Sequence, residues 1–288
     1  GVTGPNEYEN NINNNWYTNY IAAWCMRYAA DCFDRCRQED AKRTEALSSR
    51  LNWSSEEGLQ WRERADQVYL PFDAEHGVFE QHDGFMDKEL IPVVRLDPDQ
   101  RPINQHWSWD RILRSCFIKQ ADVLQGVYLF SEEFDRETHE RNFDFYEPFT
   151  VHESSLSPCV HAILAARLGK MDKAYELYLR TARLDLDDYN KEVAEGLHIT
   201  SMAGTWMSVV QGFGGMHWVG SDLHLDPALP DQWTALEFHL RFRGALLRVQ
   251  VEPTRTEVLH LSGEAVELKL YGTKLKLSAG SIEQIERP

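Results

Sequence analysis

A chain of 288 residues with 42% hydrophobic and 26% charged side chains has an ordinary globular composition, long enough for one large domain and a smaller one. The 30 basic and 46 acidic side chains leave a formal net charge of −16. That balance argues against the broad basic face needed for non-specific binding to nucleic acid or an anionic membrane, while leaving room for a local cationic pocket for a small anion.

No apolar run reaches the roughly 18 residues of a membrane-spanning helix. The chain opens at Gly1-Val2-Thr3 without an initiator Met, so a signal peptide lost with upstream sequence is compatible with it. The five cysteines (Cys25, Cys32, Cys36, Cys116 and Cys159) are odd in number and sit in apolar, helix-like contexts. Cys32 and Cys36 lie one helical turn apart, but no second Cys/His pair stands at ligand spacing. They read as idle thiols in a reducing cytoplasm.

Trp16, Tyr20, Ala23, Trp24 and Tyr28 recur at helical spacing and predict an amphipathic helix from Trp16 to about Arg37. Ser54-Ser55-Glu56-Glu57 has the form of a capping box opening a second helix that runs to about Tyr69. Residues 72–106 hold Gly77, Gly84, Pro92, Pro98 and Pro102 without a sustained period, which predicts a long, functional loop. A third helix is expected from Trp109 through Phe117, Ala121 and Leu124 to about Phe130. A fourth follows Pro158 to Leu168, a fifth spans Met171 to Arg183, and a sixth runs from Gly196 to Val210. After Gly212 the texture changes to alternating strands such as Leu236–Leu240 and Leu246–Val251, continuing to about Leu277. Closely spaced helices ahead of a small β module suggest helical hairpins, which could form half of an (α/α)6 barrel.

Glu7 lies in a loop after the Gly4-Pro5 turn and before an amide-rich approach, Asn10-Asn11-Ile12-Asn13-Asn14-Asn15, to the first helix. Its neighbours in sequence are aromatics and amides rather than cations. A carboxyl in partly apolar surroundings holds its proton more readily and can act as a donor; a solvated loop glutamate is the alternative. Trp107 and Trp109, in Gln105-His106-Trp107-Ser108-Trp109-Asp110-Arg111, suit stacking on a sugar face or core packing. Lys119 and Gln120 are adjacent polar residues in an otherwise apolar predicted helix, placed to bind hydroxyls or to form a structural ion pair.

His152-Glu153-Ser154-Ser155-Leu156-Ser157-Pro158 brings hydroxyls to a helix start, which serves as an anion site or as an N-cap. Gly196-Leu197-His198-Ile199-Thr200-Ser201 is a second such start, with His198 as a donor and close helix packing as the plainer reading. Gly212-Phe213-Gly214-Gly215 lacks the strand and Lys-Ser/Thr of a nucleotide loop. His217, His224 and His239 lack a carboxylate or Cys at helical ligand spacing, so a catalytic zinc is not expected. Ser154 and Ser155 are not in a nucleophile elbow.

Taken together, Gly4-Pro5-Asn6-Glu7-Tyr8, Gln105 to Arg111, Ile118-Lys119-Gln120-Ala121-Asp122-Val123 and His152 to Ser157 resemble glycoside hydrolase family 65. That family comprises maltose, trehalose, kojibiose and nigerose phosphorylases. The resemblance spans almost the whole chain, and Asn104 to Arg114 looks most like the maltose-active branch. It implies a mainly α fold: residues 1–221 as the second half of an (α/α)6 catalytic barrel and 222–288 as a C-terminal antiparallel β-sheet domain. It also implies a β-sandwich, a helical linker and the first half-barrel ahead of Glu7, so the chain by itself is expected to be inactive.

The roles implied are Glu7 as catalytic acid, Lys119 and Gln120 as sugar contacts, and Ser154, Ser155 and His198 as phosphate contacts. The family motif usually has Asp where this chain has Asn6. The partners implied are a disaccharide and phosphate as co-substrate, with no metal or organic cofactor, and a homodimer is the usual arrangement. Two rival readings are an inverting α-glucoside hydrolase with Glu147 or Glu153 as base, and a non-catalytic sugar-binding protein.

Overall fold

The computed structural model describes residues 1–288. Its helical part opens where Asn15 caps α1 (Trp16–Glu39), its side-chain oxygen accepting the Thr18 amide at 2.9 Å. Asp40 caps α2 (Ala41–Leu51), and Ser54 caps α3 (Ser55–Asp66) at the start expected from the sequence. α1 packs along α3, and Arg62 on α3 reaches Asp31 and Asp34 on α1, each at 2.7 Å. The five cysteines are free thiols.

Residues 67–108 are largely irregular, a stretch that includes the loop expected over 72–106 and begins where α3 ends short of the expected Tyr69, but they are packed. They hold a two-strand ribbon, β1 (Phe72–Asp73) with β2 (Val78–Phe79), and the short α4 (Ile103–His106). Phe85 and Ile103 from this stretch are fully buried. Then come α5 (Trp109–Arg114), α6 (Val123–Leu129), α7 (Arg136–Tyr146), α8 (Ser157–Arg167), α9 (Met171–Ala182), α10 (Leu184–Asp187) and α11 (Ile199–Met207), which runs on into a π-helical turn, Ser208–Phe213.

Eleven helices replace the six expected. The continuous helix predicted from Trp109 to Phe130 is in fact broken between Arg114 and Val123. The backbone there is committed elsewhere. Ile118 N–H donates to the Phe149 carbonyl at 3.0 Å, and the Ile118 carbonyl accepts from Val151 N–H at 2.9 Å. Cys116, Phe117 and Ile118 are all buried, which suits an extended core-crossing segment better than a one-faced helix. Lys119 and Gln120 therefore sit on this crossing segment, not on a helix.

The β part comprises β3 (Met216–Val219), β4 (Asp222–Leu225), β5 (Leu236–Phe242), β6 (Ala245–Val251), β7 (Arg255–Ser262), β8 (Val266–Leu270), β9 (Thr273–Leu277) and β10 (Ile282–Glu286). They form two four-stranded sheets, ordered β10-β7-β6-β5 and β3-β4-β8-β9. The first is antiparallel throughout, and the second is antiparallel except where β4 and β8 run parallel. The chain leaves β4, builds most of the other sheet and returns, a crossover that permits the parallel pairing.

Alternation in β6 buries Ala245, Leu247, Val249 and Val251 against side chains from both sheets. A separate core of 24 buried residues lies within the helical part. Trp233 and Leu236 pack against both cores and join them. No helix is long and apolar enough to cross a membrane.

Candidate active site

Three segments distant in sequence meet around Glu7. Gly4 makes the approach possible, because a Cβ there would lie 2.5 Å from both the Asn15 amide nitrogen and Asp122 Oδ2. The fully buried Asn6 then pins the loop. Its N–H donates to Asp122 Oδ2 at 3.0 Å, while its Oδ1 accepts from Tyr8 N–H at 3.2 Å and Lys119 N–H at 2.9 Å. Asp122 in turn accepts from the Asn15 side chain at 2.8 Å, tying the loop to the start of α1. Burial pushes the Asp122 carboxyl up to about 6, against the lowering effect of the Asn6 and Asn15 donors. Glu9 anchors the far side of the loop on Lys88, which also donates to the Leu113 and Ser115 carbonyls.

Held this way, Glu7 keeps its side chain 54% exposed, and its carboxylate lies 2.6 Å from the Lys119 ammonium. The sequence placed Glu7 among aromatics and amides and away from cations; the fold supplies a cation from the crossing segment. Lys119 Nζ also lies 5.9 Å from the centroid of the Tyr8 ring. Gln120 is buried, with Oε1 free of any hydrogen-bond partner.

The two tryptophans part company. Trp109 is 48% exposed and meets Tyr8, the residue after Glu7, edge to face at 6.4 Å. Trp107 is half-buried: its indole N–H donates to Gln100 at 2.7 Å, Phe117 packs on it, and the Arg111 guanidinium lies 3.5 Å from a ring centroid. Of the pair, Trp109 offers the open aromatic surface.

A second wall comes from residues 147–157. Tyr8 O–H donates to Glu153 Oε2 at 2.8 Å, the same oxygen accepts from Ile103 N–H at 2.9 Å, and Arg101 lies 3.3 Å from Oε1. Behind it, His152 (φ +55°) stands between Ser157 Oγ at 2.8 Å and the Glu147 carboxylate at 3.3 Å, and His161 also bonds Glu147. Burial would raise the Glu147 carboxyl pKa, but the two imidazoles draw it well below the usual range. Burial holds the His152 imidazole down, against the opposing pull of Glu147. Glu147 is thus a carboxylate locked between histidines, and Glu153 accepts from three donors.

The hydroxyl-bearing segments also meet. Ser155 Oγ is 2.9 Å from Thr200 Oγ1, bringing the start of α8 beside the start of α11. Ser154 Oγ accepts only from Leu156 N–H at 3.2 Å, and no side chain caps α8. His198 is not joined to the serines: its Nδ1 lies 2.6 Å from Asp185, whose other oxygen accepts the His198 N–H, and Glu192 lies 3.7 Å from Nε2.

Sequence reasoning passed over Asn6, Tyr8, Asp122 and Glu153 as the frame. One signal was available: Asp122 is a lone carboxylate in an apolar stretch, a residue that needs dedicated partners once buried.

This fold and this arrangement coincide with a known class of carbohydrate-active protein. Residues 1–207 match the glycosyl hydrolase family 65 central catalytic domain, and residues 216–277 match the C-terminal domain of the same family. The chain belongs to glycosyl hydrolase family 65. It is 51% identical to a maltose phosphorylase of Bacillus subtilis over 94% of its length, and 41% identical to an α,α-trehalose phosphorylase of Thermoanaerobacter brockii over 98%. A solved structure, "Putative kojibiose phosphorylase from human microbiome", superposes with a TM-score of 0.89 at 33% identity, covering 100% of this chain and 39% of that one. The chain spans 35% and 36% of the length of the two curated relatives, about a third.

Proposed function

We propose that this chain supplies the catalytic acid of an inverting phosphorylase of α-glucosyl disaccharides, with maltose as substrate and Glu7 as the acid. The observation that carries the reading is Glu7 itself: an open carboxyl on a loop held by Asn6, Asp122 and Tyr8, with Lys119 beside it and Trp109 against the neighbouring Tyr8. Rigid placement of a proton donor at an exposed surface is what general acid catalysis requires. The identity to a maltose phosphorylase favours maltose over trehalose, kojibiose or nigerose.

In this reaction a phosphate oxygen attacks C1 of the non-reducing glucose from the face opposite the leaving group. The C1–O bond breaks, Glu7 protonates the departing oxygen, and β-glucose 1-phosphate and glucose form with inversion. Phosphate is already an anionic nucleophile, so no second carboxyl is needed to activate water. Glu147 and Glu153, the candidate bases of a hydrolase, are both committed to buried partners, which favours phosphorolysis. Lys119 and Gln120 contact sugar hydroxyls.

Phosphate sits towards Ser154, Ser155 and His198, where the hydroxyls of Ser155 and Thr200 meet 2.9 Å apart beside Ser154. The partners are a disaccharide and phosphate in the cytoplasm. The chain taken alone is expected to be silent, since α11 leaves Ile199, Met202 and Trp206 exposed, a face the rest of the relatives' length can cover.

The test is full-length protein with maltose, with and without phosphate, followed by NMR. Phosphate-dependent β-glucose 1-phosphate supports the reading; glucose released without phosphate makes the protein a hydrolase. Glu7→Gln is expected to lower turnover by about 100-fold or more, and near-wild-type activity would remove Glu7 from the mechanism.

A further inference from the structure

At the junction of the helical and β parts, His217 on β3 pairs with His224 on β4 residue for residue in the antiparallel register. Directly opposed residues share a face of the sheet, and the two rings lie 5.2 Å apart. Asp226 stands two residues beyond His224, the period that returns a strand to the same face. Its Oδ2 is 3.7 Å from His217 Nε2. One ligand atom from each of the three residues lies within 4.8 Å of the others. Small side-chain rotations bring such a set onto one ion at bonds of about 2.0–2.2 Å.

Both imidazoles are prepared for such a bond. His217 Nδ1 lies 3.0 Å from the Gly215 carbonyl oxygen, which can only accept, so the ring proton sits on Nδ1 and the lone pair of the neutral ring is on Nε2, towards Asp226. His224 Nε2 is buried and has no hydrogen-bond partner, a state that calls for an explanation. Gly215 lets the segments close: at φ +61°, a Cβ there would lie 2.1 Å from the Asp226 carbonyl carbon.

We infer that His217 Nε2, His224 Nε2 and the Asp226 carboxylate bind one divalent transition-metal ion of the zinc class, the remaining position open to water. Two imidazoles and one carboxylate suit that class. The ion clips Gly215–His217, where the chain leaves the helical part, to the end of β4. Helical spacing hides this set, because cross-strand register assembles it. The other His/Glu cluster, Glu147–His152–His161, differs in that its facing atoms already hydrogen-bond one another. Lys269, in register with His224 on β8, sets a like charge nearby, so binding falls short of a closed four-ligand site.

The test is Zn²⁺ titrated by calorimetry into metal-free protein, with Co²⁺ absorption as a second readout of coordination. One equivalent should bind and raise the melting temperature. His217→Gln and Asp226→Asn, both at partly or fully solvent-facing positions, should each weaken binding about tenfold or more and leave metal-free melting unchanged. No binding by the wild type overturns the inference. So does binding that both substitutions leave intact, since the ion would then belong to another cluster.

Discussion

The Tyr8 hydroxyl donates to Glu153 at 2.8 Å, joining two buried side chains 145 positions apart, one beside Glu7 and the other beside Ser154. Burial, and then the Glu153 charge, raise the Tyr8 pKa and keep it a donor. Tyr8→Phe keeps the ring and removes the bond. The expected cost is about 1.5–3 kcal/mol, the scale of a hydrogen bond to a charged group, read by urea unfolding. In the full-length enzyme kcat should fall more than KM changes, because the proposed acid, Glu7, loses its footing while the proposed sugar contacts remain. A variant of unchanged stability would show that Ile103 and Arg101 suffice for Glu153.

Asn6 accepts the amides of both Tyr8 and Lys119 on one oxygen. Asn6→Ala strands both donors, and at about 1–3 kcal/mol for each unsatisfied group should cost roughly 2–6 kcal/mol. Asn6→Asp retains the acceptor and should cost less, with the nearby Asp122 carboxyl setting the residual penalty. The ranking, measured by thermal melts, is the check: an aspartate variant weaker than the alanine one would mean charge, not acceptance, governs the position.

The fully buried Asp122 has its pKa raised to about 6 from an ordinary 3.8. The folded state thus binds this proton more tightly than the unfolded chain. Its contribution to stability is complete below about pH 3.8 and is lost as pH rises through about 6, by about 3 kcal/mol in all. Asp122→Asn has no proton to release. The wild-type unfolding free energy minus that of the variant should therefore shrink between about pH 4 and pH 7. A difference that grows over that range would place the ionised form, not the neutral one, as the state the fold prefers.

Trp109 and Trp107 should separate binding from packing. Trp109→Ala removes an exposed ring and is expected to raise KM for the disaccharide while changing stability by about 1 kcal/mol or less. Trp107→Ala strips Phe117 and Arg111 of their partner and should cost about 2 kcal/mol or more. Melting curves and initial rates on both variants decide it. Equal effects on KM would return Trp107 to the sugar site.

Much of this was legible in the sequence because it is local. The cap at Ser54, the alternation of β6 and the loop carrying Glu7 each follow from a few neighbouring residues. What escaped is set by distant partners. The break after Arg114 exists because Phe149 and Val151 take the backbone bonds of Ile118. The Glu7–Lys119 pair exists because that break turns Lys119 outward from a crossing segment rather than a helix face. α2 and α7 went unseen since their sequences are mostly polar, burying Thr44 alone in one case and Asn142, Phe143 and Tyr146 in the other. His217, His224 and Asp226 meet only through strand register.

The bonds that frame Glu7 span 116 positions for Asn6–Asp122 and 112 for Lys119–Glu7, whereas β5, β6 and β7 pair in immediate succession. Closing long loops demands entropy that short hairpins do not. A folding molecule can therefore complete much of its β module while Glu7 is still unplaced. The Glu7–Lys119 pair becomes a reporter of the last tertiary closures, and a limited-proteolysis time course during refolding should find the helical loops cut long after the strands have become resistant.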